Sequence, residues 1–272
     1  MKRLTLALSV LLCYSASATN YYVSSTGNDA NAGTSPTAPW KTISKVNSSF
    51  SSIAAGDSVL FKRGETFYGQ LLPNKSGTAT SKITISAYGT GAKPIISALT
   101  DVTGWTSLGG NLWKSAAVSN VKNTLDVVTI NGVSVPMGRY PNSNAASKGY
   151  LYFEAVTGKT GITDNELPSS PSWTGAEIVI KPNPWTIGSY PVSAHSGTSI
   201  TFTGNSTAIR NNYGYFIQNH ISTLDQQNEW FLDKSTKQLV IYSTTTPANV
   251  KVSTVDTLCY VYNRSYINIK DS

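Results

Sequence analysis

The segment "GDSVLFKRGETFYGQLLPNKSGTATSKITISAYGTGAKPIIS", Gly56 to Ser97, decides how the rest of the chain is read. It holds four short runs of β-branched and aromatic residues, centred on Leu60, Leu71, Ile85 and Ile95 and separated by Gly, Pro, Asn and Ser. Such runs read as strands, because branched and aromatic side chains suit a pleated, half-buried surface and the separating residues suit turns. Alternate strands recur after 25 residues, Leu60 to Ile85, and after 24 residues, Leu71 to Ile95. A period of that length fits stacked solenoid coils, each burying its apolar face against the next. Hairpins produce the same spacing, so this stretch alone leaves a solenoid and a meander both open.

Working outward, the stretch before it, "APWKTISKVNSSFSSI", predicts a helix. Trp40, Ile43, Val46 and Phe50 fall at helical spacing on one face, and Pro39 suits a first-turn position. Beyond the segment, from Trp105 to about Val250, the period is lost and the strands alternate as in an antiparallel layer. There "LDVVTINGVSVPMGRYPN" places Asn131-Gly132 between two apolar runs, a hairpin signal. "QNEWFLDKSTKQLVIYS", Gln227 to Ser243, reads as a second hairpin, with Trp230 and Phe231 on opposite faces and Asp233 to Lys237 as its turn. At "TLCYVYNRSYINIKDS" the short apolar strands return and the sequence ends inside the pattern.

Composition narrows the class. Lys2 and Arg3, the apolar run Leu4 to Tyr14 and Ala16-Ser17-Ala18 have the layout of an export signal that leaves Thr19 first in the mature chain. The expected location is secreted or extracellular, and no stretch has the apolar length of a membrane span. Loss of the signal removes Cys13 and leaves Cys259 as the one thiol, which excludes an internal disulfide and a cysteine-histidine metal site. The net charge of +7 comes without any run of Lys or Arg, which argues against nucleic acid as a partner. Fifteen Tyr and six Trp in a weakly charged chain instead describe a β-rich extracellular protein.

The ordered motifs "YYVSSTGNDANAGTSPTAPWKTISKV", "GDSVLFKRGETFYG", "ITISAYGTGAKPII", "GRYPN" and "NEWFLD" resemble the start of secreted bacterial right-handed parallel β-helix proteins of the pectate-lyase-like superfamily. The resemblance implies an all-β fold: a β-helix start with an N-terminal capping helix and an inserted antiparallel β-rich domain. It divides the chain into a signal peptide at 1–18, capping helix and first coils at 19–100, the insert at 101–250, and a resumed, truncated β-helix at 251–272. It implies a polysaccharide as partner and a glycoside hydrolase or polysaccharide lyase as the whole protein, with the remaining coils, and a complete active site, C-terminal to this chain. The alternative is a non-catalytic carbohydrate-binding or surface-adhesion solenoid.

The residues offer parts for either chemistry. Glycoside hydrolysis uses two carboxylates roughly 5 to 9.5 Å apart, and Asp225, Glu229 and Asp233 in "LDQQNEWFLD" are candidates. On one strand Glu229 and Asp233 would share a face. Elimination from a uronate uses a base and a cation, for which His220 and Arg139 are candidates. The structural alternative pairs Arg139 with Asp225 or Glu229 inside the insert, and gives His195 and His220 ordinary hydrogen-bonding roles. Trp185, Tyr213 and Tyr215 are candidates for stacking on sugar rings, against the alternative of packing beneath loops. Asn28-Asp29-x-Asn31-x-Gly33 alternates oxygen ligands, which makes Asp29 and Asn31 a calcium candidate. It lacks the distal Glu of a full calcium loop, and the alternative is an Asx-rich turn leading into the helix. No other cofactor is expected.

Overall fold

The computed structural model describes residues 18–122, 124–211 and 213–271. The expected export signal, Ala18 apart, and Cys13 therefore lie outside the described residues. Within them the chain is mostly β, in keeping with the expected all-β class, and forms two compact units. One comprises the described residues through Ala98 together with Val255 onward; the other is Leu99–Thr254.

In the first unit, β1 (Asn20–Val23), β2 (Ser58–Lys62), β4 (Ile83–Tyr88) and the late strand Ile267–Ile269 form one sheet in that order, every pair parallel. A second parallel pair joins β3 (Thr66–Tyr68) to β5 (Ile95–Ser97). Parallel neighbours require crossovers rather than tight hairpins, so the meander reading of this stretch fails. The repeat differs by one residue from the sequence estimate: Val59 pairs with Ile85, so the register is 26 residues. Leu60, used as the strand centre, lies on the outer side, while Val59, Phe61, Ile83 and Ile85 point inward and are buried. A slip of one residue exchanges the faces of a strand, and burial of the β-branched and aromatic set fixes which register wins. The expected partnership of Leu71 with Ile95 also fails. Leu71 bridges Cys259, and β5 instead takes β3, with Phe67 opposite Ile96.

The helix is shorter than its apolar spacing predicts. It spans Ile43–Ser49, with Thr42 as N-cap, so Pro39 and Trp40 lie before it and Phe50 is its C-cap. The Thr42 hydroxyl accepts the Lys45 N–H at 3.0 Å, satisfying a first-turn donor, and that cap sets the start. Trp40 bridges Val23 as an extended residue, yet Trp40, Ile43, Val46, Phe50 and Ile53 all enter the same buried cluster as Val59, Phe61 and Ile85. The helix therefore covers the apolar interior of the parallel strands. Asn47 ties it down: its amide donates to Gln70 O at 2.8 Å and its carbonyl accepts Leu72 N–H at 2.8 Å.

The second unit is antiparallel. Its largest sheet has eight strands, with Glu177–Asn183 at the centre between Gly214–Gln218 and Thr186–Ser196. Ile178, Ile180, Tyr215 and Ile217 fill one side, against Phe153, Ile162, Trp173 and Phe202. Two four-stranded sheets share a second core, in which Val128, Trp230, Leu232, Leu239, Ile241 and Val252 meet. Both predicted hairpins form. Asn131 and Gly132 take φ of 52° and 78°, the double left-handed turn that a two-residue hairpin needs, and Ile130 faces Val133. Trp230–Asp233 pairs with Gln238–Tyr242, Trp230 buried and Phe231 on the other face, and the Asp233 carboxylate accepts from the Ser235 and Thr236 N–H groups.

Candidate functional site

The outer side of the eight-stranded sheet carries the most distinctive surface of the second unit. Period-two alternation sends Ile178 and Ile180 inward and leaves Glu177, Val179 and Lys181 on the other face. Val179 lies opposite Phe216, and Gly214 opposite Tyr152, so these side chains converge on one side of the sheet. Together with Tyr150, Lys181 and Tyr213 they line a cavity of about 350 Å³. Phe216 forms part of the floor, and the Tyr150 ring meets it edge-on with centroids 5.8 Å apart. Gly214 makes room for this arrangement: a Cβ there would come within 3.1 Å of the Tyr150 ring.

Two cations attend the aromatic rings. The Arg139 guanidinium lies 3.6 Å from the Phe216 centroid and 5.4 Å from that of Tyr150. Arg139 also donates to Pro141 O at 3.1 Å and to Gly149 O. The Lys181 ammonium lies 5.4 Å from the Tyr213 centroid, an attraction between cation and ring quadrupole. Nearby in sequence, Trp185 projects at the tip of the Glu177–Asn183/Thr186–Ser196 hairpin, 91% exposed. The Asn183 side chain holds that tip, accepting from Trp185 N–H at 2.9 Å and Thr186 N–H at 3.0 Å.

Glu177 marks another position on this face. Burial opposes its charge, but donation from Lys234 at 2.5 Å, Gln218 at 3.2 Å and Asn219 at 3.1 Å outweighs burial, and its pKa is lowered. The result is an ionised carboxylate with its acceptor capacity already used.

The sequence-derived site residues divide into three groups. Trp185 is exposed and Tyr213 lines the cavity, but Tyr215 is fully buried and donates its hydroxyl to the buried Asp164 carboxylate at 2.8 Å, so it cannot stack on a ligand. Arg139 pairs with neither Asp225 nor Glu229: the two rings and two carbonyls take the place of the expected ion pair. His220 caps a short 3-10 turn through its Nδ1, which accepts from Ser222 N–H, and packs edge-on against Trp173; burial lowers its pKa. His195 likewise accepts, from Trp173 N–H at 3.3 Å.

The carboxylates are brought together only in part. Glu229 precedes its strand, is 4% exposed, and accepts Asp225 N–H at 3.0 Å and Gln226 N–H at 2.9 Å through one oxygen. Burial above all, with the neighbouring Asp225 charge, raises its pKa. Asp225 is exposed and accepts from the Asn142 amide at 2.9 Å. Asp233 spends its carboxylate on its own turn, so it does not share a site with Glu229. The calcium candidate is likewise committed. Asp29 accepts from Lys41 N–H at 2.7 Å, Thr42 N–H at 3.0 Å and the Thr42 hydroxyl at 2.6 Å, while the Asn31 amide donates to Pro39 O. The motif is an Asx turn that clasps the helix start, and among the described residues no cluster of three metal-ligating side chains occurs.

Sequence reasoning missed Tyr150, Tyr152, Lys181 and Phe216. The signal was present in "GYLYF", where Tyr150 and Tyr152 alternate with Leu151, and in "YGYFIQ", where Phe216 alternates with the inward Tyr215. Tyr213 and Tyr215 both lie among Asn and Gly, which suits exposed rings, but Tyr213 precedes the strand and escapes its alternation while Tyr215 lies within it and turns inward.

No protein-family model matches the chain. A stretch of 113 residues, 40% of the chain, is 44% identical to a lacto-N-biosidase of Bifidobacterium longum subsp. longum and covers 7% of that protein. A solved glycoside hydrolase has the same fold across 93% of this chain and 50% of its own, with a TM-score of 0.71 at 16% identity. A solved GH136 lacto-N-biosidase from Eubacterium ramulus is 44% identical over 28% of this chain and 12% of its own, with a TM-score of 0.26. The chain is thus related to glycoside hydrolases, and it spans half or less of the length of each of these relatives.

Proposed function

We propose that this chain is the N-terminal portion of a secreted, polysaccharide-degrading glycoside hydrolase built on a right-handed parallel β-helix. The observation that carries the reading is the parallel ladder of β1, β2, β4 and Ile267–Ile269, advancing one strand at a time beside a helix that covers its apolar interior. Residues 19–100 and 251–272 are the β-helix and 101–250 the insert. Sequence identity to the lacto-N-biosidases favours hydrolysis over elimination and makes glycans containing lacto-N-biose the first substrates to test.

Further coils supply the residues that cleave the glycosidic bond. Two observations support this: the chain matches half of a glycoside hydrolase of the same fold, and the carboxylates Asp29, Glu177 and Asp233 are each engaged by local donors. An apolar cavity of about 420 Å³, lined by Phe61, Leu71, Ile85, Ile96, Cys259 and Ile269, is a surface against which a further coil packs. Export fits the same reading. Cleavage after Ala18 frees the Thr19 nitrogen, which lies 2.8 Å from the buried Asp57 carboxylate, so the new ammonium is met by a counter-charge.

The encoding DNA tests the proposal. An open frame continuing past the Ser272 codon, with strand-like runs at intervals of about 25 residues, is the expected result. A stop codon at that point would contradict it. A carbohydrate-binding or adhesion solenoid is the second reading, favoured by the aromatic face of the insert. It predicts downstream coils rich in Ser, Thr and Asn rather than clustered Asp and Glu.

A further inference from the structure

We infer that the cavity on the outer face of the insert's eight-stranded sheet is a glycan-binding subsite that holds one pyranose ring between tyrosines, with Lys181 as its charged donor. The inference rests on the reading of the chain as part of a glycan-acting protein, and goes beyond it by giving the insert a function of its own.

The geometry favours a sugar over other occupants. A pyranose presents flat patches of C–H on its faces and hydroxyls around its rim, so it needs aromatic faces for the first and polar groups for the second. The cavity supplies both: Tyr150, Tyr152, Tyr213 and Phe216 contribute rings, and Lys181 an ammonium. Its volume of about 350 Å³ lies at the small end of the range for small-ligand sites, in keeping with a single sugar ring. The pocket is also held in shape before any ligand arrives. Arg139 locks Phe216 and Tyr150 from one side while bonding to two backbone carbonyls, and Gly214 admits the Tyr150 ring against the sheet. A binding surface fixed in this way loses little conformational freedom when the ligand enters. Tyr152 remains 45% exposed beside it, so a ring is available at the rim.

Lys181 is held over Tyr213, and no carboxylate among the described residues pairs with it. It can donate to a hydroxyl of a neutral sugar or to the carboxylate of a uronate. The shared chemistry is the pyranose ring, and the test separates the two sources.

Saturation-transfer NMR and calorimetry on residues 19–272 would use a neutral oligosaccharide containing lacto-N-biose and, separately, an oligogalacturonate. The expected result is saturation of sugar ring protons for at least one of them, with affinity falling about ten-fold or more in Tyr152→Ala, the loss of one stacking partner. Lys181→Gln is expected to weaken the uronate arm more than the neutral arm. Thermal melts confirm that both variants fold, and because Lys181 lies on the outer face, its substitution reports on the site even if the tyrosine variant fails. Absence of binding to the folded parent overturns the inference, as does binding that survives both substitutions. So does concentration-dependent dimerisation abolished by Tyr152→Ala, which would make the face a contact between copies. Each of these leaves the enzyme reading intact if a protein containing the further coils still releases oligosaccharides.

Discussion

At the scale of single residues, Glu229 shows how a buried carboxylate holds a loop. Its one oxygen holds two backbone N–H groups of the Asp225–Gln226 loop, and its burial raises its pKa. The folded protein therefore keeps this proton to higher pH than the unfolded chain does. Stability from this group is full below the ordinary glutamate pKa and is lost as pH rises through the raised folded value. Chemical denaturation across that range should show the decline, and Glu229→Gln, which keeps an acceptor oxygen but cannot ionise, should flatten it. Glu229→Ala leaves both donors without a partner and should cost about 1–3 kcal/mol at any pH. Asp57 is the parallel case in the other unit, accepting Thr19 N–H at 2.8 Å and Ala54 N–H at 2.7 Å while almost fully buried. Asp57→Ala should lower the denaturation midpoint by a similar free energy. Residue types named the candidates here, but they could not reveal that Arg139 faces rings rather than carboxylates. That choice depends on the Phe216 and Tyr150 partners brought together by strand pairing.

At the scale of elements, alternation and turn chemistry were legible and end points were not. The Asn131-Gly132 and Gln227–Ser243 hairpins were readable because their turns are local and their strands alternate cleanly. The helix was readable as an apolar face, yet its start was not. Trp40 belongs to the same buried cluster as the helix, so spacing alone could not separate it from the turn that Thr42 begins. The cap arrangement makes a direct prediction. Thr42→Ala removes both the acceptor for Lys45 N–H and the hydroxyl bonded to Asp29, and should cost about 1–2 kcal/mol in equilibrium unfolding. Val46→Asp places an unpaired charge in the core against the parallel strands and should cost more than about 3 kcal/mol, enough to abolish cooperative unfolding. A Val46→Asp protein that melts like its parent would remove the helix from its covering role.

At the scale of the molecule, the repeat that joins Val59 to Ile85 was visible in sequence to within one residue, because both parallel strands bury β-branched side chains on the same face, whereas the Leu71–Ile95 spacing matched no pairing. The cavity was not, because its rings come from two separate stretches, 150–152 and 213–216, set beside Val179 and Lys181 only by the register of antiparallel strands. On the proposed function, the parallel unit opens a longer scaffold for glycan cleavage and the insert is a surface that holds the glycan. Chromatographic quantification of oligosaccharides released from lacto-N-biose-containing glycans and from neutral and acidic plant polysaccharides tests this most directly, comparing residues 19–272 with the product of the continued reading frame. Release by the longer protein and none by residues 19–272 alone is the expected result. Release by residues 19–272, or by neither protein, would contradict it.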